Sequence, residues 1–322
     1  MISVISRRHA LAMLSGSLAI MGLGLSPTMA ADAPTVVHVS IIPIYSVAPH
    51  FAADAQGYFA AESIAVTTQP VQTGAVGIPG LISGAFDVLY TNTVSVLTAL
   101  ERGIDLRIIA EAPRIPTSPP DALALFKRKG DKISTGKDLE GKVTAINARF
   151  TAQWLSMQKW IKVTGGDLSK ITYREIPLPS MLDALKNKQV DVAFLLDPYM
   201  TVAFEDPSLE LAAWPSSTSM PGLSSSVWVV SGKLADSKPE LVRAYMRAFF
   251  KGGQWVNENL GKQPYIDLVA SFTKIDPARL AKMFTVGQRM EIEPAAINGV
   301  AQVMREFDLL KTDVDVTNKI FR

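Results

Sequence analysis

The sequence predicts an α/β protein built as two lobes. Apolar runs typical of strands alternate with segments of helical spacing through the first two thirds of the chain. A stretch rich in proline, 113–120, interrupts this alternation, and a second alternating series begins beyond it. In addition, segment 81–88 is matched in spacing by 185–192. Alternation of strands and helices indicates parallel sheets covered by helices, and the interruption divides them into two compact units.

The first series begins with an apolar run at 36–44, typical of a buried strand. Helical spacing follows over 48–56, and Gly57 ends that helix. The series continues with an extended segment at 65–71, a helix at 78–83, a strand at 87–90, a helix at 93–102 and a strand at 106–110.

The second series has strands at 122–126 and 143–146, a helix at 151–163, a strand at 171–176, a helix at 180–188 and a strand at 190–196. Beyond 215–222 the pattern predicts a strand at 225–230 and helices at 239–259, 265–272 and 294–307. We therefore expect the first lobe to comprise 34–115 and 225–322, and the second lobe 120–220. Hinges are expected near 113–121 and 221–226.

The N-terminus has the pattern of a cleavable signal peptide over 1–30. Arg7 and Arg8 precede an apolar stretch at 10–25, and small residues end at Ala30, where we expect cleavage. The apolar stretch is shorter than the roughly 20 residues that span a bilayer. The Ser6-Arg7-Arg8 segment also resembles a twin-arginine signal, so both export routes stay open. The chain has no cysteine, which excludes lipid attachment and disulfides. We expect an exported protein that is not embedded in the membrane.

Charge and histidine content exclude several function classes. The chain has 32 basic and 30 acidic residues, and loss of Arg7 and Arg8 with the leader leaves 30 of each. Such a balance gives no long-range field for nucleic acid or an anionic membrane. Of three histidines, His9 lies in the leader, while His38 and His50 stand apart. The scattered histidines therefore predict no metal site and no catalytic triad. We also expect no cofactor and no enzymatic activity.

The matched spacing of 81–88 and 185–192, here called the internal echo, predicts where a ligand binds. Each of its two segments places a helix end before a strand, and the strands lead into 90–93 and 196–199. In open α/β sheets the ligand crevice lies outside the carboxyl ends of the strands. Both segments should therefore deliver their next residues to one cleft.

The chain resembles the nitrate/sulfonate/taurine-type solute-binding proteins of ABC importers, whose relatives include proteins that bind thiamine precursors. The residues that carry this resemblance, by their order along the chain, are Gln56-Gly57-Tyr58-Phe59, 81–87, Asp191-Val192-Ala193 leading into Asp197-Pro198-Tyr199, Trp228-Val229-Val230, Lys238-Pro239-Glu240 and the helix reaching Trp255. The resemblance implies a type II-like periplasmic binding protein fold with mixed sheets flanked by helices. Two hinge strands would let the lobes close on a ligand like a Venus flytrap. It also implies a periplasmic monomer that delivers a small molecule to an ABC permease and ATPase complex.

The resemblance also suggests the ligand. Many relatives have a glycine-serine pair at the first helix of the second lobe, whereas this chain has Arg149 and Phe150 before Thr151. An arginine beside an aromatic ring suits a small organic anion, a sulfonate or an aromatic or aliphatic carboxylate, because the guanidinium grips the acid while the ring packs on the remainder. The predicted ligand-binding residues are Tyr45, Asn92, Thr93, Arg114, Arg149, Phe150, Thr151, Asp197 and Tyr199.

Structural alternatives stay open for several of these residues. Arg149 also fits a surface position paired with an acid, and Arg114 fits a hinge residue bonded to backbone carbonyls or solvent. Tyr45 and Phe150 also fit a core. Asp197 before a proline is well suited to cap a helix beginning at Pro198, and we favour that role.

Three alternative functions also remain open. The chain could bind a pyrimidine precursor of thiamine, it could be a fold-related periplasmic enzyme, or it could signal to a membrane sensor. The fold alone does not choose among these ligands and partners.

Overall fold

The computed structural model describes residues 33–322, so the predicted signal peptide and its cleavage after Ala30 lie outside the described residues. The strands are β1 (Thr35–Ile41), β2 (Ile64–Pro70), β3 (Val88–Asn92), β4 (Leu106–Glu111), β5 (Leu123–Arg128), β6 (Val143–Ile146), β7 (Thr172–Glu175), β8 (Val192–Leu196), β9 (Leu209–Ala213) and β10 (Ser226–Ser231). The helices are α1 (Ala48–Ala55), α2 (Tyr58–Ala61), α3 (Gly74–Ser83), α4 (Thr93–Glu101), α5 (Ala152–Val163), α6 (Leu178–Lys186), α7 (Tyr199–Phe204), α8 (Pro215–Ser219), α9 (Gly232–Ser237), α10 (Pro239–Asn259), α11 (Gln263–Thr273), α12 (Pro277–Leu280) and α13 (Pro294–Glu306).

The strands form two five-stranded mixed sheets, one in each lobe. The first has the order β2-β1-β3-β10-β4, and the second has the order β7-β6-β8-β5-β9. In the first sheet β1 is parallel to β2 and β3, while β10 is antiparallel to both of its neighbours. In the second sheet β5 is antiparallel to both of its neighbours, β8 and β9. The predicted two-lobed α/β fold with mixed sheets is confirmed.

The chain crosses between the sheets twice. It leaves the first sheet after β4 through 112–122 and returns to it through 214–225 before β10. Because the returning strand is inserted between β3 and β4, the last strand of the chain lies inside the first sheet rather than at its edge. Strand β9, which the alternating pattern did not predict, is a five-residue edge strand that is mostly half-buried.

The internal echo has a structural basis in both lobes. The carboxylate of Asp87, just before β3, accepts a hydrogen bond from the amide of His38 in β1 at 2.8 Å. The carboxylate of Asp191, just before β8, accepts one from the amide of Val143 in β6, also at 2.8 Å. Each aspartate thereby ties the strand that follows it to the neighbouring parallel strand and sets the register that brings both strand ends to the cleft.

Helix α1 packs against α10 around buried aromatic residues of the first lobe. His50 lies within this cluster, with Nδ1 3.1 Å from the Tyr245 hydroxyl and Nε2 2.8 Å from the Thr68 hydroxyl. Burial lowers the pKa of His50 to about 3, so the imidazole is neutral and structural. Within 33–322, no helix combines the length and the apolar character that crossing a bilayer requires.

Candidate functional site

A small cavity, here called the inner cavity, lies between the two lobes where the strands of both sheets end. Its volume is about 50 Å³, measured as the space open to the centre of a water-sized sphere. The first lobe contributes Ile42, Ile44, Tyr45, Ser46, Thr73, Gly74, Tyr90, Asn92, Ser225 and Ser226, and the second contributes Leu123, Asn147, Thr151, Ala152, Gln153, Leu178 and Leu196. Because both lobes supply walls, a molecule held here would favour the closed arrangement.

Helix N-termini converge on this cavity. The residues that precede α3, α4 and α5 are Thr73, Asn92 and Thr151, and all three line it. The first amides of a helix have no partner within the helix and carry a partial positive charge. Three such ends make the cavity favourable for a hydrogen-bond acceptor or an anion.

Asn92 and Thr151 act as helix caps on opposite sides of the cavity. The Asn92 side-chain oxygen accepts from the Ser95 amide at 3.0 Å. The Thr151 hydroxyl accepts from the Trp154 amide at 3.2 Å and donates to the Ala148 carbonyl at 3.0 Å. These bonds fix the start of each helix, and the first amide of α4, that of Thr93, donates to the Ser225 carbonyl at 3.0 Å.

Gln153 positions the second-lobe wall. Its side-chain oxygen accepts from the Asn147 amide at 3.1 Å, and its side-chain nitrogen donates to the Phe194 carbonyl at 2.5 Å. It thereby links the loop after β6 to strand β8. Sequence reasoning missed both Gln153 and Asn147. Asn147 directly follows a strand end, so the rule that selected Asn92 would also have found it.

The cavity lining contains no lysine, arginine, histidine, aspartate or glutamate among the residues that the structure describes. Its polar groups are hydroxyls, side-chain amides and backbone. Across 33–322, no three histidine or acidic side chains come together in a way that could hold a metal ion.

Two buried aspartates lie close to the cavity without lining it. Burial raises the pKa of Asp121 to about 7 and that of Asp197 to about 7. Asp197 accepts hydrogen bonds from the Thr201 amide at 3.0 Å and from the Phe284 amide at 3.0 Å. Asp197 therefore bonds an amide in the first turn of α7, but α7 begins at Tyr199 and the residue at its cap is Pro198, so the predicted helix start at Pro198 is one residue early.

A larger depression, here called the outer groove, adjoins the inner cavity. Its volume by the same measure is about 600 Å³. It is lined by Ile42, Pro43, Pro70, Val71, Gln72, Thr73 and Val76 from the first lobe and by Asn147, Ala148, Glu175, Pro177, Leu178, Pro179 and Tyr199 from the second. Ile42, Thr73, Asn147 and Leu178 line both spaces.

The structure brings some of the predicted ligand-binding residues to this site. Tyr45, Asn92 and Thr151 line the inner cavity, and Tyr199 lines the outer groove. Thr93 is fully buried at the start of α4, with no hydrogen-bond partner for its hydroxyl among the described residues. Ligand contact by these residues stays a prediction.

Arg149, Phe150 and Arg114 lie outside the inner cavity. The Arg149 guanidinium is half-exposed, 3.8 Å from Glu175. Phe150 has a positive φ of 58° and lines a separate apolar pocket with Ile78 and Val94 of the first lobe. The inner cavity is lined instead by Asn147 before this turn and by Thr151, Ala152 and Gln153 after it.

Arg114 forms a brace at the first crossing between the lobes. It donates to Glu111 at 2.8 Å and also pairs with Glu293, whose amide in turn donates to the Glu111 carboxylate at 3.0 Å. The Glu111 side chain is fully buried, and the Arg114 guanidinium and the Glu293 amide compensate its negative charge. Arg114 therefore lies at the expected crossing, but it is bonded to two carboxylates and not to the backbone carbonyls or solvent of the hinge alternative.

Comparison with known proteins gives a family match over most of the described chain. The family model described as NMT1/THI5 like matches residues 45–259. The riboflavin-binding protein RibY of Chloroflexus aurantiacus is 25% identical over 251 residues, which cover 70% of this chain and 67% of that protein.

Solved structures share the fold. The alkanesulfonate-binding protein SsuA of Xanthomonas axonopodis pv. citri, bound to MOPS, superimposes with a TM-score of 0.73 at 18% identity, covering 91% of this chain and 100% of its own. The periplasmic aliphatic sulphonate binding protein SsuA of Escherichia coli gives a TM-score of 0.73 at 14% identity, with 89% of this chain and 98% of its own covered. At these identities the likeness shows a common periplasmic binding protein fold.

Proposed function

The chain belongs to the NMT1/THI5-like family, and from this premise we propose that it is the substrate-binding component of an ABC importer that captures a small organic molecule between its lobes. The inner cavity carries this proposal, because both lobes build its walls. A ligand that contacts both walls stabilises the closed form, and closure is the signal that a transporter can recognise. The chain acts in this proposal by binding, without catalysis.

The ligand presents a compact hydrogen-bond acceptor to the inner cavity. Three helix N-termini meet there, and each contributes roughly 0.3–1 kcal/mol toward an anion, rising to about 2 kcal/mol in partly buried geometry. A small organic anion, a sulfonate or a carboxylate, is therefore the ligand that we favour. Its acid group would be held by helix amides and neutral hydroxyls rather than by an arginine.

The absence of a cationic side chain from the described lining supports a second candidate. An uncharged heterocycle with carbonyl or ring-nitrogen acceptors, such as a pyrimidine, needs no counter-ion and suits the same amides and hydroxyls. RibY is by name a riboflavin-binding protein and shares 25% identity with this chain.

The location and partners follow from the same proposal. The predicted leader at 1–30 exports the chain to the periplasm by the general or the twin-arginine route. There it acts as a monomer and delivers its ligand to a permease and ATPase complex.

A panel of ligands tests this function. We expect the melting temperature of the mature protein to rise with organic sulfonates and carboxylates, because binding to the native state stabilises it by mass action. Neutral pyrimidines form the second arm and cationic amines the third. A rise with pyrimidines alone would select the second candidate, and a rise with amines alone would contradict an acceptor-binding cavity.

Two variants locate the binding site in calorimetric titrations of the best ligand. Thr73→Val removes a hydroxyl at the cavity without uncapping α3, since the Thr73 side chain makes no capping bond. We expect about tenfold weaker binding, because hydrogen bonds to charged groups contribute roughly 1.5–3 kcal/mol. Arg149→Ala should change affinity by less than about threefold, in keeping with a surface pair to Glu175. A larger loss of affinity in Arg149→Ala than in Thr73→Val would indicate that Arg149 binds the acid group of the ligand.

A further inference from the structure

The outer groove continues the inner cavity across the same interlobe boundary. Four residues line both spaces, namely Ile42, Thr73, Asn147 and Leu178, two from each lobe. A molecule whose polar end enters the inner cavity can therefore extend into the groove without leaving the boundary between the lobes. Closure brings the walls of both spaces together, so atoms in the groove also contribute to the preference for the closed form.

The two spaces differ greatly in size. The inner cavity, at about 50 Å³, has room for a compact polar group. That is enough for a sulfonate, a carboxylate or an amide group and little more. The outer groove, at about 600 Å³, lies within the size range of small-molecule sites.

The groove has rigid and largely apolar walls. Four prolines line it, namely Pro43, Pro70, Pro177 and Pro179. Proline walls lose little conformational freedom when a ligand orders against them. Val76 lines the groove and is 65% exposed, an unusually large fraction for an apolar side chain. An apolar ligand group placed over it would remove that surface from water.

Among the described residues that line the groove, Glu175 supplies the one carboxylate, and its charge sets the polarity of the ligand. Glu175 lines the groove and lies 3.8 Å from Arg149, so its charge is only partly balanced. A second negative charge on the ligand would meet it directly, whereas an apolar chain or ring would not. The acid group is thereby assigned to the inner cavity and the remainder to the groove.

We propose that the ligand is bipartite, with a compact acceptor head in the inner cavity and an uncharged apolar body in the outer groove, clamped by both lobes. This inference rests on the proposed function, because it assumes that the inner cavity binds the head. It adds that the groove recognises the body and selects ligands by the length of their apolar part.

Two homologous series of ligands test the inference. One series is the n-alkanesulfonates from methane- to octanesulfonate, and the other is the n-alkanamides of the same lengths, which carry a neutral carbonyl head. We expect affinity in calorimetric titration to rise by roughly fourfold for each added methylene until the groove is filled, since a buried methylene contributes about 0.8 kcal/mol.

Val76→Ser should flatten this rise while leaving the affinity of methanesulfonate or its amide counterpart within twofold. Val36→Ser is the matched control, because Val36 is also exposed, at 49%, but lies on β1 and lines neither space. The control should keep the full dependence on chain length.

The outcomes separate the inference from the function on which it rests. If the shortest ligands bind and affinity does not rise with alkyl chain length, the bipartite ligand is wrong and the inner cavity alone is the binding site. A rise with chain length that persists in Val76→Ser and is lost in Val36→Ser would place the body elsewhere and also overturn it. If no member of either series binds, the acceptor-binding function itself fails, and the inference fails with it.

Discussion

Asp121 lies at the end of the first crossing between the lobes, with only 1% of its surface exposed. The backbone amides of Ala122, Ser217 and Leu123 lie near its carboxyl group and favour the charged form, an effect smaller than that of burial. Its Oδ2 atom has no partner among the described residues. Burial raises the pKa of Asp121 to about 7, so the folded protein retains a proton there in weakly acidic solution. The ionisable groups coupled to this carboxyl are Tyr45 and Asp197.

The buried aspartate predicts how stability changes with pH. An unfolded aspartate loses its proton near pH 4, whereas folded Asp121 holds it to about pH 7. Between these values the folded state binds more protons, so the free energy of unfolding falls as pH rises from 4 to 7. Asp197 contributes in the same direction. We expect Asp121→Asn to remove about 2 to 4 kcal/mol of this fall, measured by urea unfolding at several pH values.

Asp313→Asn is the control for that experiment, because the Asp313 side chain is 90% exposed. It should leave the pH dependence unchanged. An Asp121→Asn protein with the same slope as the parent between pH 4 and 7 would contradict a protonated, buried Asp121.

At the scale of elements, the first lobe depends on the close approach of α1 and α10. Gly252 lies at the crossing point of these helices. A Cβ atom placed on it would lie 2.1 Å from the Pro49 carbonyl oxygen and 2.8 Å from the Ala53 amide. At the adjacent Gly253 the nearest atom is the flexible Met290 sulfur, at 3.3 Å. The two neighbouring glycines therefore face different constraints within one helix.

This contrast predicts opposite effects of the same substitution. Gly252→Ala should lower the free energy of unfolding by about 1 to 3 kcal/mol, because backbone atoms of α1 must move. Gly253→Ala should be neutral or stabilise by up to about 1 kcal/mol, since alanine favours helix and a thioether can yield. Urea unfolding of both variants measures the difference. Equal destabilisation by the two would show that α1 and α10 do not set this distance.

At the scale of the whole molecule, α5 of the second lobe meets α13 on the outer side of the first lobe. Lys159 on α5 forms an ion pair with Glu306 on α13. One turn further along α5, the Lys162 ammonium lies 5.2 Å from the centre of the Phe307 ring. Because these contacts join the two lobes away from the two crossings, we expect them to be lost when the lobes open.

The interlobe ion pair predicts a shift in the closed population. Glu306→Lys places two positive charges together and should reduce the closed-to-open ratio by about two- to fivefold, as expected for a partly exposed pair. Small-angle scattering of the ligand-free protein should then show a larger radius of gyration. The double variant Lys159→Glu/Glu306→Lys restores opposite charges and should restore the parent value. No recovery in the double variant would exclude this pair as a closure contact.

Much of the fold was predictable because local patterns encode it. Alternating apolar runs and helical spacing place most strands and helices within a few residues of their bounds, and the proline-rich stretch coincides with the first crossing. The roles of Asn92 and Thr151 at the cavity were also predictable from the sequence, since a capping residue after a strand is a local signal. The short edge strand β9 was not predicted, because one buried residue followed by four half-buried residues carries little periodicity.

By itself, the pattern of the sequence determined a two-lobed α/β chain with a crevice at the strand ends, since apolar spacing and turn chemistry act over a few residues, whereas the mixed character of the sheets was implied only by the family resemblance. The tertiary structure alone decided which side chains meet in that crevice. It turns Phe150 away, pairs Arg149 with Glu175, and joins the inner cavity to the outer groove. These outcomes depend on residues far apart in the chain, and their contacts exist only once the two lobes are packed against each other.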